Sequence, residues 1–180
     1  MQVEADPATG ALSPATSRYT KRLSDLDGMF HDADAWSREI LGKSDPVVYE
    51  VSEFRNEGGD LLIGMTTMRP GKVGDEFYMT RGHFHARRDR GEVYNTLSGA
   101  GLLLLESRDG RAEAVEMRHG ASALIPPDWA HRTVNTGSGP LIFSWVCAVD
   151  AGHDYAAIRE RGMRLRVVER DGQPEVVDTR

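Results

Sequence analysis

The sequence predicts an all-β fold, an antiparallel sandwich or barrel with a few short peripheral helices. Three observations carry this. From Pro46 to Val177 the chain is a succession of short apolar runs rich in Val, Ile, Tyr, Phe and Leu. Gly, Pro, Asn and Asp punctuate those runs at the short spacing that hairpins need. Only two stretches carry a helical period.

Composition sets the frame. The 180 residues suffice for one domain with a substantial core. With 39% hydrophobic and 28% charged residues the chain reads as a soluble globular protein. A net charge of −6 gives no reason to expect nucleic acid as a partner. No apolar run is long enough to span a bilayer, and the N-terminus lacks the basic start and apolar centre of a signal peptide. A cytoplasmic protein without membrane contact is expected. Cys147 is the single cysteine, inside the strand-like run Phe143–Ala148, so it reads as a buried, unreactive thiol.

Residues 1–17 are rich in Ala, Pro, Ser and Thr without a hydrophobic period, and are expected to form a flexible arm preceding a single domain over residues 18–180. Arg18 to Leu26 suits a short strand or extended segment. Asp34 is placed to cap a helix running through Ala35, Trp36, Ile40 and Leu41, with Gly42 ending it. Val47 to Phe54 is a strand, Asn56-Glu57-Gly58-Gly59-Asp60 a turn, and Leu61 to Met68 the returning strand, closed by Pro70-Gly71. Phe77-Tyr78-Met79 leads into Thr80-Arg81-Gly82-His83-Phe84-His85. Further strands are expected at Glu92–Leu97, Leu102–Glu106, Ala112–Met117, Ser122–Ile125, His131–Asn135 and Pro140–Val149. Asp154 to Arg161 reads as helix, and Val167-Val168 and Val176-Val177 flank Asp171-Gly172 as a last hairpin.

The chemistry concentrates between Thr80 and Glu92. In an extended segment His83 and His85 face one way, because side chains alternate with period two. Glu92 returns after the charged run Ala86–Gly91, and His131 follows Pro126-Pro127. Three imidazoles and a carboxylate suit a divalent transition metal. His31 and His119 read as surface or hydrogen-bonded histidines outside this cluster.

Two patterns connect these residues to a known superfamily. Gly120, Pro126, His131 and Asn135 follow one another with the spacing of the second cupin motif, and His83, His85, Glu92 and Gly99 echo the first. The gap between His85 and Glu92 is longer than usual, which implies an extended turn, and Asp128 replaces the usual glycine. The resemblance implies a cupin double-stranded β-helix, a jelly-roll barrel. More specifically, the string Pro70–Ala86, then Asp89–Tyr94, Pro126–Asn135 and Ala148–Tyr155, resembles the cupin-type glucose-6-phosphate isomerases described from archaea and some bacteria. The likeness covers residues 45 to 178, with residues 1–17 outside it.

That resemblance implies His83, His85, Glu92 and His131 as ligands of one divalent transition metal per subunit: iron(II) first, with manganese, nickel, cobalt or zinc compatible. It implies a phosphosugar pocket lined by Thr66 or Thr67, Thr80, Gly82, His153 and Tyr155, and a homodimer. Arg81, Arg87, Arg88 and Arg90 are expected to raise the local positive potential. Asp128 and Cys147 stand where the archaeal members carry tyrosine, and an acidic Asp128 would disfavour a dianionic substrate unless it points away. For interconversion of glucose 6-phosphate and fructose 6-phosphate, in glycolysis and gluconeogenesis, Glu92 is the expected base of an enediolate route. Tyr94 is a proton relay and His153 an aid to ring opening; a metal-assisted hydride shift is the other route. An iron-dependent cupin dioxygenase and a non-catalytic sugar-binding cupin are the competing readings.

Overall fold

In the computed structural model, residues 2–56 and 58–180 are described. Of the expected 56–60 turn, Glu57 therefore lies outside them. The strands in chain order are β1 (Glu4–Ala5), β2 (Leu12–Ser13), β3 (Ser17–Arg22), β4 (Val47–Arg55), β5 (Leu61–Met68), β6 (Lys72–Val73) and β7 (Glu76–Phe77). Then come β8 (Glu92–Ser98), β9 (Ala100–Ser107), β10 (Ala112–Arg118), β11 (Ser122–Ile125), β12 (Trp129–Asn135), β13 (Leu141–Ala148), β14 (Leu165–Arg170) and β15 (Gln173–Asp178). The helices are α1 (Ala33–Lys43) and α2 (Ala156–Arg161), with a 3-10 turn at Leu23–Leu26.

A six-stranded sheet in the order β11-β8-β13-β5-β4-β3 and a three-stranded sheet in the order β10-β9-β12 supply the two walls of the barrel. A smaller sheet, β15-β14-β7-β6, flanks them. One apolar cluster joins Tyr94, Phe143 and Trp145 of the first wall to Leu103, Leu105 and Val134 of the second. The pairings are antiparallel throughout, as the hairpin spacing predicts. The chain passes from the six-stranded wall to the three-stranded one at Gly99. Its φ is +84° and a Cβ there would stand 2.3 Å from the Pro140 carbonyl oxygen, so this motif position accepts only glycine.

Two expectations outside the barrel core need correction. The helix is capped by Asp32, which accepts the Ala35 N–H at 2.7 Å, and not by Asp34, which lies in the first turn. Gly42 is inside α1, and the left-handed residue that ends it is Ser44 (φ 55°). Trp36 and Ile40 pack on the core as expected, but Leu41 is 83% exposed. The last hairpin is present as β14–β15.

The second correction concerns the arm. β1 and β2 pair with each other, and Leu12 is fully buried against Met65 and Ile142 on the outer face of the six-stranded sheet. Arg18 donates to the Leu12 carbonyl at 3.2 Å. The arm thus has a packed anchor, invisible to a search for periodicity because a single side chain makes it. Leu12→Ala is expected to destabilise the chain by about 2–3 kcal/mol, the usual cost of emptying a buried leucine site. A denaturation midpoint lowered at unchanged slope will show it.

Candidate metal centre and sugar-phosphate cavity

Alternation along the strands of the large sheet builds one wall of an internal cavity of about 160 Å³. Tyr49, Val51 and Glu53 of β4, Leu62 and Thr66 of β5, Glu92 and Tyr94 of β8, and Phe143, Trp145 and Cys147 of β13 all point into it. Each set follows the i, i+2 rule of a pleated strand. The same rule decides between the two threonines. Thr66 faces the cavity, where its hydroxyl accepts from Trp145 Nε1 at 3.1 Å. Thr67 faces the other side of the sheet, with its Oγ1 against Gly10 of the N-terminal arm. The proposed pocket role for Thr67 is therefore corrected.

The histidine segment is not a regular strand but a strip held by single bridges on both sides. His83 N–H donates to the His131 carbonyl at 3.2 Å and the reverse bond is 3.0 Å. Phe84 and Asp154 exchange bonds of 3.1 and 2.8 Å. The alternation survives: Phe84 is buried in the core while His83 and His85 face the cavity. The long gap before Glu92 is a clamped turn. Arg90 holds Asp150 with two contacts of 2.9 Å, Arg87 reaches the same carboxylate at 3.1 Å, and Arg88 pairs with Asp154. Those three arginines lie outside the cavity lining with their charges met. Arg81 alone of the four lines the cavity, its guanidinium 4.7 Å from the centre of the Tyr155 ring.

His83, His85 and His131 bring their ligating atoms within 4.8 Å of one another. Glu92 Oε2 lies 3.1 Å from His85 Nε2 and 3.2 Å from His131 Nε2. Donors about 2.0–2.2 Å from a shared ion stand roughly 3 Å apart, so these spacings fit a common first shell. His85 Nδ1–H donates to the Arg90 carbonyl at 2.9 Å, which leaves Nε2 as the ligating nitrogen. Both ring nitrogens of the buried His131 lack an aligned hydrogen-bond partner among the described residues, although Glu92 is within reach of one. A buried imidazole without partners is costly unless a cation uses its lone pair.

The electrostatics agree. Burial pushes His83 well below its ordinary value, helped by the neighbouring histidines, so it is in the neutral form that binds metal. Burial works to raise Glu92, but the adjacent His131 and His85 rings outweigh it and hold the carboxylate low and ionised. For His85, burial acts downward and is overcome by Glu92 and the Arg90 carbonyl, so its pKa rises. The place between Glu92 and His85 thus favours positive charge.

Around the cluster, His153 packs 4.4 Å from His83 and stacks on Tyr155 at 5.5 Å, and burial lowers its pKa. Tyr94 stacks on Phe143 at 4.8 Å, and burial pushes its phenol well above the ordinary value, so it keeps its O–H. Thr80 lines the cavity and its Oγ1 accepts the Thr133 N–H at 2.9 Å, leaving its own proton to donate. Gly82 has φ +70°, and a Cβ there would stand 2.9 Å from Arg132 Nε. Cys147 does line the cavity, but burial lifts its thiol to about 12, so it is no nucleophile. Asp128 adopts φ 62° at the usual glycine position and faces Arg108 and Arg88 at 3.7 and 4.0 Å, away from the cavity lining.

Tyr19, Tyr49, Glu53 and Trp145 also line the cavity and were missed from sequence, although the alternation of Tyr49 and Glu53 with Val51 carried the signal. His31 Nδ1 lies 2.9 Å from Glu76 Oε2, and His119 Nδ1–H donates to the Leu97 carbonyl at 2.6 Å, both apart from the cluster.

Fold and site together define a cupin with a three-histidine, one-glutamate cluster on the wall of a polar cavity. The fold is shared with a deletion mutant of the oxalate decarboxylase of Bacillus subtilis, at a TM-score of 0.50 and 19% identity over 61% of this chain and 28% of that one. Sequence comparison narrows the class. The profile of the family "Glucose-6-phosphate isomerase (GPI)" matches residues 20–178. Glucose-6-phosphate isomerases of Pyrococcus horikoshii, Thermococcus kodakarensis and Pyrococcus furiosus are each 47% identical over 178 residues, covering 98% of this chain and 93% of theirs. The chain belongs to the glucose-6-phosphate isomerase family: it is an aldose–ketose isomerase acting on a phosphosugar. At this coverage the likeness takes in the N-terminal arm, which the sequence motifs had left outside it.

Proposed function

We propose that the chain interconverts D-glucose 6-phosphate and D-fructose 6-phosphate, in glycolysis and gluconeogenesis, with one divalent transition metal per subunit. His83, His85, Glu92 and His131 hold the ion, with iron(II) first among the metals that an imidazole-rich set accepts, then manganese, nickel, cobalt or zinc. The observation that carries this is the buried His131, whose ring nitrogens lack aligned partners 3.2 Å from an ionised carboxylate. When bound, such an ion supplies Lewis-acid stabilisation of negative charge on the sugar's O1 and O2.

The chain's own groups do the rest. Thr80 Oγ1–H, the Gly82 N–H and the Tyr155 hydroxyl donate to the phosphate, and Thr66 lies on the opposite wall. Neutral His153 takes the proton of the anomeric hydroxyl and returns it to O5 as the ring opens. The Glu92 carboxylate removes the C2 proton of the open-chain aldose and delivers it to C1, while the Tyr94 O–H, on the same face of β8, donates to the developing enediolate. Ligation by the ion would weaken Glu92 as a base, and a direct hydride shift from C2 to C1, which needs no base, is the alternative route. Turnover in deuterium oxide separates them. Proton transfer predicts deuterium at C1 of fructose 6-phosphate, whereas complete retention of the substrate hydrogen over many turnovers excludes Glu92 as the base.

Exposed apolar side chains at a sheet edge support a homodimer. Leu124, on the edge strand β11, is 72% exposed. A cytoplasmic location accords with the fact that no helix among the described residues is long and apolar enough to cross a membrane.

A further inference from the structure

A second cavity, of about 320 Å³, lies behind Gly82. Its inner surface is cationic. Arg132 is buried, its NH2 donates to the Arg81 carbonyl at 3.1 Å, and its Nε is buried without a hydrogen-bond partner among the described residues. Arg81 is half-buried beside it, with no carboxylate in ion-pair reach among those residues; its guanidinium lies on Tyr155. Two further arginines at the walls already have counter-ions: Arg166 holds Glu76 at 2.7 Å and Arg161 holds Glu106 at 2.5 Å. The acids lining the cavity, Asp25, Asp27 and Glu160, are exposed at its rim. Asp25 is engaged with the Arg22 N–H at 2.8 Å. Arg159 shares the rim.

A phosphate group, with several acceptor oxygens, matches the donor forks of arginines that line a cavity, above all one such as Arg81 with no carboxylate in reach among the described residues. We propose that this cavity is a second anion site, which takes the phosphate group of a small phosphorylated metabolite on Arg132, Arg81 and Arg159, and that its occupancy opposes substrate binding. The coupling follows from shared walls. Arg81, Gly82 and Tyr155 line both cavities, so two anions compete for one guanidinium and repel each other across it. The effect is reciprocal: substrate weakens the second anion by the same factor.

The test uses inorganic phosphate with the full-length, metal-loaded protein at constant ionic strength. Calorimetric titration should show two phosphates per chain. Rates with fructose 6-phosphate should show phosphate raising KM along an upward curve, where a single competing anion gives a straight line. Arg159→Ala, on the exposed rim, should leave activity without phosphate unchanged, weaken one of the two sites about tenfold and straighten the KM plot. Arg132→Lys keeps the charge but removes the planar guanidinium fork, and should weaken the same site. One phosphate per chain with KM rising linearly overturns the proposal, as do two sites that neither substitution changes. These readouts stand apart from the isomerase reading, because the titration counts sites whether or not the sugar turns over.

Discussion

His131→Ala is expected to lower kcat/KM for fructose 6-phosphate by about 10³-fold or more, in the range of losing the main electrostatic support of a transition state. The purified variant should carry no stoichiometric metal. His131 comes from β12 and is the ligand most distant in sequence, yet its backbone is bonded to His83 in both directions. Its ring lies 4.3 Å from His83 and 5.3 Å from His85, so its removal opens the cluster without touching the sheet's hydrogen bonds. His119→Ala, at an exposed turn, should change neither metal content nor rate. A His131→Ala protein that binds one metal per chain and turns over within tenfold of the parent would contradict the assignment.

Glu92→Gln should cost about 10²–10⁴-fold in kcat, the usual worth of a positioned proton-transfer group, with a much smaller change in KM. The amide preserves the shape of a side chain that is buried between His85 and His131, and removes the negative charge that those histidines hold in place. Steady-state kinetics on variant protein of known metal content will separate loss of ion from loss of base. A metal-replete Glu92→Gln enzyme with near-normal kcat excludes Glu92 as the base and leaves the hydride route.

The barrel was legible because its signals are local. Asp109-Gly110 closes β9 onto β10, and Asp171-Gly172 closes β14 onto β15, each at the turn residues that predict it. The ligands were legible because His83 and His85 alternate around Phe84, and that alternation survives without a regular strand. What failed depends on contacts from elsewhere in the chain. Leu12 has no large apolar neighbour in sequence, only Ala11; its burial is created by Met65 and Ile142 on the outside of the sheet. Arg87, Arg88 and Arg90 looked alike until Asp150 and Asp154 claimed them, leaving Arg81 as the one of the four that lines the cavity. Thr66 and Thr67 were separable in principle, since neighbours on a strand face opposite ways, but which face is inward was fixed by Trp145 and Gly10. Arg132 gave no signal, since buried arginines are rare and nothing in Ala130-His131-Arg132 marks one.

The most direct measurement is a coupled assay of fructose 6-phosphate conversion by protein stripped of metal with a chelator and then reloaded. The account predicts activity that falls with metal content, returns in proportion on reloading with a divalent transition metal, and is absent from His83→Ala under both conditions. Activity that is indifferent to chelation and survives His83→Ala would contradict it.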